Sequence, residues 1–168
     1  MSEVFSPVLV SDTLSGGVRS LTFKTCGAVC SEQIDIDLEG DVIKKVRYTR
    51  GCHGNTQGVA ALCEGRKVQD VIGRLDGIDC KGRGTSCPDQ LARALRIARV
   101  VEMERLFDAL RVPGADVPES AVTSLQEYMD SGAWLSDYEA DERGEIPAGI
   151  KRGVLSQDGL YNLLQEIR

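Results

Sequence analysis

The 168-residue sequence predicts an α+β fold: a three-stranded antiparallel sheet with helices packed on it, followed by a small all-helical domain. Three observations carry this. Apolar residues alternate with polar ones as far as Tyr48 and recur at helical spacing after Gly54. Gly40-Asp41 separates two alternating runs, as the turn of a two-residue hairpin does. The charge balance then changes at a segment holding two prolines and a glycine.

The elements follow in order. Residues 1–16 read as an N-terminal extension. Val18–Lys24 is a first strand. Gln33–Glu39 carries Ile34, Ile36 and Leu38 on one face, and Val42–Tyr48 carries Val42, Val46 and Tyr48. Val59, Leu62 and Cys63, then Val68, Val71, Ile72 and Leu75, fall on two helices broken by Gly65, and Gly77 ends the second. Cys80–Ser86 is a Gly-rich loop. Pro88 and Asp89 suit the first turn of a helix that runs towards Leu110, with Leu91, Ala94, Leu95, Ala98 and Val101 on its apolar face. The cysteine-rich domain thus covers 17–110, a linker 111–118 and the helical domain 119–168, with the helix over 99–110 open to sharing. Pro118 starts one helix there and Ser156 can cap a last one, Gln157–Ile167.

Residues 1–111 carry 16 basic and 15 acidic side chains, and residues 112–168 carry 4 and 11. The acidic second part argues against binding to DNA or RNA. No apolar run is long enough to span a bilayer and no charged-then-apolar leader opens the sequence, so the chain reads as cytoplasmic. In that compartment six cysteines point to metal ligation or redox chemistry before structural disulfides. There is no CxxC pair and no phosphate-binding Gly-rich loop.

Strand arithmetic brings two of the cysteines together. If Glu39 pairs with Val42, Cys30 lies opposite Gly51, one residue from Cys52, where cross-strand neighbours stand roughly 5 Å apart. Cys87, at a helix start, feels the positive end of the helix dipole, which favours a thiolate. Cys30, Cys52 and Cys87, joined by Cys80 from the Gly-rich loop, suit tetrahedral zinc or an iron–sulfur cluster.

Thr22-Phe23-Lys24-Thr25, Val29-Cys30-Ser31, Gly51-Cys52-His53-Gly54-Asn55, Gly77-Ile78-Asp79-Cys80 and Thr85-Ser86-Cys87-Pro88-Asp89-Gln90-Leu91 resemble the TSCPD domain. That domain is a C-terminal module of adenosylcobalamin-dependent ribonucleotide reductases and also stands alone in small bacterial proteins. The resemblance implies ribonucleoside-diphosphate reductase and deoxynucleotide supply as the context, and a reductase as a possible partner. The reductase's barrel, radical cysteine and cobalamin site have no counterpart here. More distantly, the same stretch is similar to iron–sulfur scaffold proteins of the NifU N-terminal type, which implies a scaffold-like fold. Cys30, Cys52 and Cys87 match its three cysteines, and Glu32 stands where that family places an acidic residue. Ser86 replaces its histidine, the Leu-Pro-Pro motif is absent and Cys80 is additional. Trp134-Leu135-Ser136-Asp137-Tyr138-Glu139-Ala140-Asp141-Glu142, Lys151–Ser156 and Tyr161-Asn162-Leu163-Leu164 resemble a small bacterial helical family of unknown function.

Other conspicuous residues take plainer readings. Cys63 belongs to a helical apolar face, and Cys26 to a strand end ahead of a spare ligand. His53, beside Cys52, reads as a solvent or outer-sphere contact ahead of a ligand or proton carrier, and Arg93, Arg96 and Arg99 as a solvated helix stripe ahead of a seat for a phosphate or an acidic partner. The acidic run Asp137, Glu139, Asp141 and Glu142 fails the calcium-loop pattern, leaving a solvated helix or a docking surface for a basic partner. The expectation is therefore a non-catalytic accessory module holding zinc or an iron–sulfur cluster through Cys30, Cys52, Cys80 and Cys87. The alternatives are an iron–sulfur scaffold or a sulfur or redox carrier working through Cys87, and a metal-stapled interaction module.

Overall fold

A computed structural model describes residues 5–167. The chain divides into two compact units, Met1–Ile97 and Ala98–Arg168.

The first unit opens with four strands rather than three: β1 (Val8–Ser15), β2 (Val18–Lys24), β3 (Ser31–Glu39) and β4 (Val42–Arg50). They form an antiparallel meander in the order β1-β2-β3-β4. The added strand lies in the span expected as an extension, whose residues 1–4 fall outside the described residues. Leu9 is half-buried and the rest of β1 is exposed, so no apolar alternation marks it in the sequence. Pairing to β2 defines it instead. Gly16 and Gly17, both at positive φ (+58° and +78°), supply the primed turn that such a hairpin needs.

Between β3 and β4, Glu39 pairs with Val42 across Gly40-Asp41 as the sequence predicts. An irregularity between Asp37 and Leu38 then inserts an extra residue on β4. That shift turns Ile43 and Val46 inward together and leaves Val42 only half-buried, a correction to the expected alternation. A second irregularity, between Ser31 and Gln33, compensates for the first, and Ser31 pairs with Arg50.

Three helices follow: α1 (His53–Cys63), α2 (Val68–Leu75) and α3 (Cys87–Leu110). Thr56, Ala60 and Cys63 are the buried residues of α1, a helical stripe, whereas Leu62 points out and is exposed. The turn after α1 covers the start of β4: Ile43 N–H donates to Arg66 O at 2.9 Å and Gly65 N–H to Ile43 O at 2.7 Å. Phe23, Ile34, Ile36 and Ile43 from the sheet, with Ile72, Leu91 and Leu95 from the helices, are fully buried. Each contributes about 1.5–3 kcal/mol of transfer free energy.

The arginines of α3 do not form a solvated stripe. Residues Leu91–Ala98 are all buried, so that part of the helix has no solvent face. Arg93 Nε donates to Asp89 Oδ2 at 2.8 Å, and Arg96 reaches Asp76 at 3.2–3.3 Å. A guanidinium taken out of water needs a carboxylate partner, and the sequence supplies one for each.

The second unit is all-helical. The remainder of α3 is joined by α4 (Glu119–Asp130), α5 (Ala133–Glu142), a short 3-10 turn (Gly153–Leu155) and α6 (Gly159–Ile167). Phe107, Leu125, Tyr128, Ile146, Val154 and Leu160 belong to its core. α5 is not simply a solvated acidic helix, because Asp137 is fully buried. Arg99, expected on a solvated face, clamps it with Nε at 2.8 Å and Nη2 at 2.5 Å, and the Tyr128 hydroxyl donates to it at 2.7 Å. Among the described residues no helix is long and apolar enough to cross a membrane.

Candidate functional site

Ser31 is the point on which the cysteine-bearing segments converge. It begins β3 directly after Cys30, is buried, and pairs with Arg50 at the end of β4. Gly51 comes so close that a Cβ there would lie 3.4 Å from Ser31 N and 3.2 Å from Thr56 Cγ2. With φ at +101°, the position admits glycine on both counts. Cys52 follows, exposed at the N-cap of α1, where its carbonyl accepts the Thr56 N–H at 2.9 Å. From the other side the Ser31 hydroxyl donates to Cys87 Sγ at 3.2 Å.

The start of α3 is fixed by its own residues. Ser86 Oγ accepts the Asp89 N–H at 3.1 Å, an N-cap bond. Asp89, fully buried, accepts the Gly77 N–H at 2.7 Å and the Thr85 hydroxyl at 2.6 Å in addition to Arg93. Gln90 accepts the Cys26 N–H at 3.0 Å, tying down the strand-end cysteine. The Tyr48 hydroxyl donates to Cys87 O at 2.9 Å. Burial pushes the Tyr48 phenol well above its ordinary range, and the Cys87 and Cys63 sulfurs push it the same way, so it stays a donor.

Cys80 is half-buried, at the head of a pinned loop. Its N–H donates to Thr85 O at 3.1 Å, and the Asp79 carboxylate accepts the Gly84 N–H at 2.6 Å as well as the Gly82 N–H. That loop carries Arg83, whose Nη1 lies 3.7 Å from the exposed Cys30 Sγ. His53 is exposed, its Nδ1 2.9 Å from Gln57 Nε2, and Glu32 is exposed and paired with Arg50 at 3.2 Å.

The structure therefore gathers Ser31, Gly51 and Cys87 and brings the Cys80 loop to Cys30 through Arg83. It does not present a finished cage. All six cysteines are free, and among the described residues no group of three or more His, Cys, Asp and Glu side chains is placed to hold a metal ion. By donor chemistry the set still fits a soft metal, with thiols at the end of a hairpin, in a loop and at a helix start. Sequence reasoning missed Ser31, Tyr48, Thr85 and Gln90. Only Asp89 and Arg93, four residues apart, carried a signal, the spacing of a helical ion pair.

These features define a cysteine-bearing α+β domain whose site lies where a meander meets the start of a long helix, in one chain with a helical unit. The chain belongs to the TSCPD family, whose domain model matches residues 11–99, over half of the sequence. A domain of unknown function (DUF4298) matches residues 114–168. No curated protein and no solved structure matches the chain. In that second region the conspicuous residues hold structure. Trp134 stacks on Tyr138 with ring centroids 5.2 Å apart and donates to Val154 O at 2.8 Å, and Arg152 binds Asp141 and the Pro147 carbonyl.

Proposed function

We propose that this chain is a non-catalytic, metal-binding accessory module in the service of ribonucleotide reduction. Cys30, Cys52 and Cys87, with Cys80, would hold zinc or an iron–sulfur cluster, and a separately folded reductase would be the partner. The supporting observation is the convergence on Ser31 of the segments bearing Cys30, Cys52 and Cys87. Three chain segments distant in sequence are brought to one corner there, and the free thiols offered are of the type that soft metals select. The metal would supply a cross-link between hairpin, loop and helix start. The protein's own part is to fix the backbone at that corner, through Tyr48, Ser86 and Asp89, before any ion arrives.

Metal analysis and a visible spectrum of protein purified without oxygen test the reading. Bound zinc or the absorption of a cluster is expected. Cys52→Ser should lower metal content and thermal stability together, because ligation is coupled to folding. Cys63→Ser should cost stability and leave metal content as it was. A wild-type protein that takes up neither metal nor cluster, or equal metal loss in both variants, would refute the proposal.

A further inference from the structure

We infer that this chain pairs with a second copy of itself through β1, the two sheets continuing antiparallel across a twofold axis at Thr13. β1 is an end strand of the sheet, and Val8, Val10 and Leu14 on it are 60%, 64% and 73% exposed. Sheets protect such edges with lysine, proline, inward charges or a covering segment. Between Val8 and Ser15 there is neither lysine nor proline, and the one inward charge, Asp12 across from buried Leu21, is neutralised by Arg19. The irregularity between Leu9 and Ser11 interrupts only the first half of the strand, leaving residues 11–15 regular. The opposite edge is treated differently, since the Gly65–Arg66 backbone bonds to Ile43 of β4.

The turn fixes which backbone groups of β1 face outward. In the two-residue Gly16-Gly17 hairpin, Ser15 and Val18 are the hydrogen-bonded pair next to the loop, so Thr13 and Ser11 also bond inward to β2. The N–H and C=O groups of Asp12 and Leu14 consequently point outward. Outward residues must meet outward residues across an antiparallel junction. Asp12 of one copy then faces Leu14 of the other, and the two Thr13 side chains meet at the axis. This register also keeps the two Asp12 carboxylates from standing directly opposite, which a centre at Asp12 would impose.

Charge favours a copy over a basic foreign strand. Asp12 is the only charge on β1, and Arg19 already holds it through two nitrogens, at 2.9 Å and 2.6 Å. A basic partner would find that carboxylate taken. A second copy needs no charge from this edge and uses the same backbone and apolar groups twice.

Sedimentation of the full chain across a concentration series tests the inference. The wild type should dimerise reversibly. Leu14→Glu sets a second carboxylate opposite each Asp12 across the axis and should raise the dimer dissociation constant by about tenfold or more, equivalent to about 1.4 kcal/mol, with an unchanged circular dichroism spectrum. Thr13→Cys, once oxidised, should yield a covalent dimer whose cross-link maps to residue 13, because facing residues at such an axis lie about 4.5 Å apart. A wild-type chain that remains monomeric at its highest soluble concentration overturns the inference. So does a dimer indifferent to Leu14→Glu, or an edge that takes up an extended segment of another protein in preference to its copy.

Discussion

Cys63 and Cys87 are both thiols of the first unit, yet one is buried and the other half-buried at a helix start. Cys63 is buried on α1, and burial pushes its thiol from the ordinary 9.0 up to about 11, against the pull of Arg66. A neutral buried thiol stabilises the folded chain only while the unfolded chain also keeps its proton. That contribution is whole below about pH 9 and is lost as the pH climbs through about 11. Denaturant midpoints at rising pH should therefore fall across that window, and the fall should be shallower in Cys63→Ala. Equal slopes would show that Cys63 does not titrate with unfolding. Tyr48, raised in the same direction, keeps a part of the slope in both proteins. The role of Cys63 was legible from its helical spacing, but the same reading misplaced Leu62 on the inner face. Periodicity locates a stripe; it does not say how wide the covering layer is. The partner of Cys87 was illegible for another reason. Ser31 lies 56 residues away, and only the strand pairings, the turns and the helix start together bring it there.

At the scale of elements, α5 shows what charge patterning misses. Asp137, Glu139, Asp141 and Glu142 look alike in sequence, but Asp137 is enclosed by Arg99 and Tyr128, while Glu139 and Glu142 are exposed. Removing one member of a buried ion pair strands the other in a medium that solvates it poorly. Asp137→Ala should accordingly cost about 3–5 kcal/mol in urea unfolding. Glu139→Ala should stay within about 0.5 kcal/mol. Similar losses in the two variants would mean that the Arg99 guanidinium finds water when its partner goes. The same physics explains the misread stripe on α3: regularly spaced arginines resemble a wet face until their aspartates are found, Asp89 one turn back on the same helix and Asp76 and Asp137 outside it. The β3–β4 hairpin, by contrast, was readable down to its first pair, because a two-residue turn dictates register locally. Its bulge was not readable, since Lys44 and Lys45 carry no sign of which one is the extra residue. β1 was invisible because it buries almost nothing, and burial is what writes alternation into a strand.

For the whole molecule, the expectation is binding without catalysis. Reducing a ribonucleotide requires a radical source and reacting groups held at bonding distance around the ribose. Incubating the full chain with adenosylcobalamin, a dithiol and a ribonucleoside diphosphate should give no deoxy product above background. Turnover there would make this chain an enzyme in its own right and end the accessory reading. One contact also carries a consequence for synthesis. All pairings in the sheet join neighbouring strands, so the meander is complete in sequence once Arg50 has left the ribosome. The bond from Ser31 to Cys87 waits for a further stretch of chain and for the first turns of α3. Closing that longer loop costs entropy that only the docked helix returns. A nascent chain thus carries Cys30 and Cys52 out ahead of the third corner, and whatever reaches those thiols first meets them before Cys87 has joined them.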